Sequence, residues 1–227
     1  MLLAFSIACI CIFQLFSLSV DRHVKHSKPG AGAEIAWVFS RRLAGVIFFG
    51  ILPAFYASRV SPDWVRLTGL NWPTRFPTQV NLGFTAIVIL VAWKVSRNPD
   101  VLGEHPEIRS RNWPFWLWPA NIATWTLYLF AYEYFFRGFL LGLITAQNGA
   151  RSGILGSSAL YVLAHFGRPG AEILGSLAIS PAMVWPAAVD ASILNPVLLH
   201  LALAFAIEGF CYQRRRKNFH PHPRPPL

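Results

Sequence analysis

Charge is what this chain has least of. Only 13% of its 227 residues are Asp, Glu, Lys or Arg, against about 25% in a soluble domain, which excludes an ordinary water-soluble globule. Acids are the scarcer sign, ten against twenty Lys and Arg, so any acid inside an apolar stretch calls for a physical reason. Three cysteines, Cys9, Cys11 and Cys211, lie in or beside apolar runs without CxxC spacing, which speaks against a disulfide framework or a zinc knuckle. The sequence holds no HExxH pattern and no internal repeat. The first absence removes the simplest helical zinc-hydrolase signature, and the second argues against a carrier built from inverted repeats.

Apolar residues are plentiful: 54% of the chain is hydrophobic, with nine Trp and eighteen Phe and a mean hydropathy of +0.43. At about 20 apolar residues per crossing, long uncharged runs predict spans near 1–19, 43–58, 78–95, 117–146, 152–166, 171–189 and 192–211. The expected fold is all-α, a polytopic transmembrane bundle of about seven helices. Segment 1–112 reads as N-terminal helices with a cytoplasmic loop, 113–211 as a core, and 212–227 as a basic, Pro-rich cytoplasmic tail. Run 1–19 lacks the basic flank and small-residue site of a signal peptide, so it is expected to stay as a span. Run 117–146 exceeds one crossing, and Trp113, Trp116 and Trp118 before Pro119 suit an aromatic anchor at the interface.

The net charge of +10 follows topology. Fifteen of the twenty basic residues, Arg41 and Arg42 among them, fall in alternate segments, four in the others, and Arg137 within a span. The positive-inside rule then places the C-terminus in the cytoplasm. The run from Arg214 to Lys217 is expected to meet anionic lipid, and no nucleic-acid partner is implied.

Ionisable groups at membrane depth are functional candidates when a partner can be named. Glu133 and Arg137 stand one helical turn apart, His165 ends the fifth span, Glu172 opens the sixth, and His200 and Glu208 lie in the seventh. Counting about 1.5 Å per residue puts Glu133, His165 and Glu208 in one layer and His200 shallower. Two histidines and several carboxylates suit a polarised water or a metal with an open position. Gly138, Gly142, Gly153, Gly156 and Gly175 are expected at close helix approaches.

Over about 117–211 these residues resemble the CPBP family of intramembrane metalloproteases, related to type II CAAX prenyl endopeptidases and to abortive-infection and self-immunity proteins. The carriers are Tyr132-Glu133-Tyr134-Phe135-Phe136-Arg137, Tyr161-Val162-Leu163-Ala164-His165, the continuation His165-Phe166-Gly167-Arg168-Pro169 with Glu172, and Asn195 through His200. They look like a bacterial subgroup, which implies a multi-pass protein of the bacterial cytoplasmic membrane. The resemblance implies an endopeptidase acting on a membrane-associated or lipidated protein, with Glu133 as base, helped by Glu172 or Glu208. Arg137 would set the charge of Glu133, and His165 and His200 would orient water or hold the oxyanion. A divalent metal such as zinc on Glu133, His165 and His200 is also implied. Two positions depart from the family pattern: Tyr132 stands where a first Glu is usual, and Ala204 where an Asn is. They define the alternative, a catalytically inactive immunity or scaffold protein of the same fold.

Overall fold

A computed structural model describes residues 1–27, 31–74, 78–110, 113–166 and 170–218. All regular structure among those residues is helical, with no strand. The first long helix is α1 (Leu2–Ser27), followed by α2 (Ala31–Val46), which runs through a π-helical turn, Ile47–Ile51, into α3 (Leu52–Val60). Next come α4 (Trp64–Leu67), α5 (Thr78–Val95) and α6 (Pro99–Glu104). Then α7 (Leu117–Glu133) passes through a second π segment, Tyr134–Leu140, into α8 (Leu141–Asn148), and α9 (Ala150–Leu163), α10 (Gly170–Asp190) and α11 (Leu194–Asn218) complete the chain.

Among the described residues, five stretches are long and apolar enough to cross a membrane: Leu2–His23, Gly32–Val60, Leu117–Asn148, Ile173–Asp190 and Leu194–Lys217. Gln79–Val95 is apolar but shorter. The protein is therefore a multi-pass membrane protein with a helical bundle. The expected span at 152–166 is the fourteen-residue α9, about 21 Å long, which is less than one crossing; it pairs with α8 as a helical hairpin. The largest correction concerns the second span. It begins near residue 32 rather than 43, so Arg41 and Arg42 lie inside a helix and are buried, 7% and 2% exposed.

Aromatic packing fixes the centre. Phe49, in the first π turn, is fully buried and touches the rings of Phe135, Phe136 and Tyr132, so the two π segments face each other. Such segments add a residue to a turn and often sit at functional sites. Trp113 and Trp118 pack on each other and on Tyr212, so the expected aromatic anchor is partly an internal joint between α7 and α11.

Two glycines let backbone meet backbone. A Cβ on Gly138 would run into the Thr68 carbonyl and one on Gly142 into the Leu67 carbonyl. Gly153 and Gly156 likewise face Thr145 and Ile144 closely, whereas Gly175 meets nothing within 4 Å among the described residues, so its expected close approach is not seen there. Replacing Gly142 with Ala should cost about 1–3 kcal/mol through overpacking, read as a lower unfolding temperature in detergent or nanodiscs. Wild-type stability in that variant would contradict this packing.

The basic tail is also corrected in part. Residues 212–218 continue α11, where Arg214 Nε donates to Ser96 Oγ at 3.2 Å and Arg215 to the Leu102 carbonyl at 2.6 Å. These two arginines clamp the 96–103 segment. Residues 219–227, with His220 and His222, lie outside the described set.

Candidate functional site

A cavity of about 480 Å³ runs between α1, α2, α5, α7, α10 and α11. Four of its helices each present two wall residues seven positions apart: Gln14 and Asp21, Phe49 and Arg42, Tyr132 and Trp125, His200 and Ile207. Seven residues rise about 10 Å, so the wall has two layers at that separation. One layer carries histidines and tyrosine, and the other carries charge.

The histidine layer is built around Glu133, which is fully buried. Its Oε1 lies 2.5 Å from His200 Nδ1, and its Oε2 lies 3.4 Å from Arg137 Nε. A carboxylate only accepts, so His200 donates through Nδ1–H and keeps Nε2 as its basic nitrogen. Arg137 is held chiefly by another force: its guanidinium carbon stands 3.7 Å over the Tyr161 ring, a cation–π contact strengthened by desolvation. Among the described residues its two terminal nitrogens, like Glu133 Oε2, meet no hydrogen-bond partner.

His200, His165, Tyr132 and Tyr161 line the cavity, and neither Glu133 nor Arg137 does. Tyr132 stands between the imidazoles, edge-on to both, with ring centroids 6.2 Å from His165 and 5.8 Å from His200. His165 Nδ1–H donates to the Tyr161 carbonyl at 2.9 Å, which fixes its tautomer too. Both imidazoles are thus anchored through Nδ1, and both belong to the cavity wall.

The structure brings together four expected site residues, Glu133, Arg137, His165 and His200. His200 is not shallower than Glu133; it touches it. Glu208 leaves the group, because eight residues along α11 separate it from His200 by about 12 Å. Its Oε1 accepts from Glu107 N at 3.0 Å and faces His105 Nδ1 at 3.4 Å. Glu172 lies in the first turn of α10, and its side chain, like residues 167–169 of the continued motif, falls outside the described set.

The charged layer was not foreseen as a layer. Glu107 receives Arg42 as a fork, Nε at 3.1 Å and Nη2 at 2.8 Å, while its other oxygen pairs with Arg41. Arg41 also pairs with Asp21, and Arg42 Nη1 reaches Asn121 Oδ1 at 2.8 Å and Thr124 Oγ1 at 2.7 Å. The Arg42 guanidinium sits 4.3 Å from the Trp125 ring centre. The only sequence signal was a pair of arginines beside an apolar run, and apart from Asp21, 20 positions before Arg41, their polar partners lie 65 or more residues away.

The implied metal does not fit this arrangement. Glu133 Oε1 and His200 Nδ1 satisfy each other, Glu133 is off the cavity wall, and among the described residues no group of three His, Cys, Asp or Glu is placed to hold an ion. What the geometry does offer is an imidazole base backed by a buried carboxylate, a second oriented imidazole, and a phenol-bearing side chain between them.

Residues 113–206 match the family model of Type II CAAX prenyl endopeptidase Rce1-like proteins. The matched segment contains Tyr132, Glu133, Arg137, His165, His200 and Ala204, and none of α1, α2 or the 96–110 segment. No curated protein and no solved structure matches the chain.

Proposed function

We propose that this protein is an intramembrane endopeptidase that hydrolyses a peptide bond of a membrane-associated or lipidated protein, using His200 as general base. The observation that carries the reading is the 2.5 Å contact between His200 Nδ1 and the buried Glu133 carboxylate, with His200 on the cavity wall. Glu133, expected to be the base, acts one step back. It sets the His200 tautomer and stabilises the imidazolium that forms.

In this mechanism His200 Nε2 takes a proton from water as the water oxygen attacks the scissile carbonyl. The C–N bond then breaks, and the imidazolium returns the proton to the leaving amine. Tyr132 supplies the hydroxyl donor to the oxyanion, so the position where the family usually has a Glu takes a different task. His165 orients the substrate carbonyl or the water through Nε2. Arg137 balances the charge of Glu133. Apolar wall residues such as Ile87, Val91, Leu203 and Ile207 favour a substrate segment that arrives from the bilayer.

The test is a quantitative survey of membrane-protein N-termini in cells with the wild type or with His200→Gln at equal level. New termini confined to the wild type support the reading and identify the substrate. Matching surveys, under conditions where deletion has a phenotype, favour the inactive immunity or scaffold protein.

A further inference from the structure

The end of α9 leaves a set of carbonyls with no partner inside the helix, as every helix end does, and each can be followed to its donor. Leu160 O takes Ala164 N at 3.0 Å, Val162 O takes His165 N at 3.0 Å, and Leu163 O takes Phe166 N at 3.0 Å. Tyr161 O takes the His165 imidazole itself. The remaining carbonyl, Ala164 O, takes the Nε2 amide of Gln14. Ala164 is buried, 6% exposed, so without Gln14 this carbonyl would lose its protein donor, and buried backbone carbonyls are rarely left without one.

Gln14 lies 150 positions from its partner and belongs to α1, outside the segment similar to the endopeptidase family. It lines the cavity together with Ala164, His165 and Tyr132. The peptide group it grips is the one that joins Ala164 to His165. Fixing that peptide fixes the Cα of His165 and hence the reach of its Nδ1–H back to Tyr161.

We infer that Gln14 is a positioning residue for His165, so that α1 is a working part of the site and not only scaffold. The inference rests on the proposed peptidase reading for its catalytic consequence and on the hydrogen-bond pattern alone for its structural one.

The test uses the full chain in nanodiscs with ¹⁵N-labelled histidine. Wild type is compared with Gln14→Met, which keeps the side-chain length and removes the donor, and with Gln14→Asn, which keeps the amide on a shorter reach. The His165 signals are assigned by their loss in His165→Gln. Expected is a single Nδ1–H tautomer in the wild type, a tautomer mixture in Gln14→Met, and a smaller change in Gln14→Asn. On a cleaved substrate kcat should fall about ten- to hundredfold in Gln14→Met, as for loss of groups that orient a catalytic ligand, with KM within about twofold. An unchanged His165 signature with unchanged kcat overturns the inference. A changed signature in a protein that cleaves nothing upholds it while the peptidase reading falls.

Discussion

Replacing Glu133 with Gln should lower kcat by about 10²- to 10⁴-fold with little change in KM. The carboxamide is nearly isosteric, but it presents either an oxygen or an NH₂ to His200 Nδ1, so the tautomer that exposes a basic Nε2 is no longer imposed. The imidazolium formed as water is deprotonated also loses its counter-charge. Both losses act on the transition state, and an orienting carboxylate behind a histidine base is worth about this much in other hydrolases. Stability moves separately. Arg137 is only 3% exposed, and stripping a buried cation of its acid costs about 3–5 kcal/mol. The double variant Glu133→Gln with Arg137→Gln should therefore recover stability without recovering turnover. Equal turnover in wild type and Glu133→Gln would remove Glu133 from the mechanism.

The second large effect is expected away from the histidines. Glu107→Ala leaves Arg41 and Arg42 facing each other without the carboxylate that accepts both. At about 3–5 kcal/mol for a broken buried pair, set against about 5–15 kcal/mol of total stability, the variant should accumulate poorly or unfold at a much lower temperature. Glu107→Gln, which still accepts hydrogen bonds, should fall in between. Replacing Arg41, Arg42 and Glu107 together by apolar residues of similar volume should restore much of the loss, since a well-packed apolar group often matches a buried ion cluster. Unfolding followed by scanning fluorimetry in one lipid composition decides it. An unfolding temperature for Glu107→Ala equal to wild type would contradict the charged layer.

Several parts of this architecture were legible in the sequence because they depend on local composition. Apolar runs marked the helices, and four-residue spacing paired Glu133 with Arg137, found 3.4 Å apart. His165 and His200 stood out as ionisable groups in apolar runs. The misreadings share a physical cause: charge was taken as a sign of exposure. Arg41 and Arg42 interrupt an apolar run, so the second span was started after them, although Glu107 pairs with both in the interior, Asp21 joins Arg41, and an amide and an indole join Arg42.

Depth counting failed differently. It grouped Glu208 with Glu133 and set His200 apart, although two groups about 12 Å apart on one helix cannot share a layer, and packing selected His200. Gln14 was invisible because an uncharged amide in an apolar run carries no signal until the partner at Ala164 is known. The resemblance implies Glu133 as base, but Glu133 lies off the cavity wall and His200 lies on it, and on that geometry the proposed mechanism gives the proton transfer to His200.

The central claim is that His200, backed by Glu133, activates the hydrolytic water. Its most direct test is cleavage of the surveyed substrate by protein reconstituted in nanodiscs, comparing wild type with His200→Gln at matched unfolding temperature. The account predicts turnover by the wild type and a rate at least about 10³-fold lower for His200→Gln. Equal cleavage by the two would show that the hydrolytic base lies elsewhere and contradict the account.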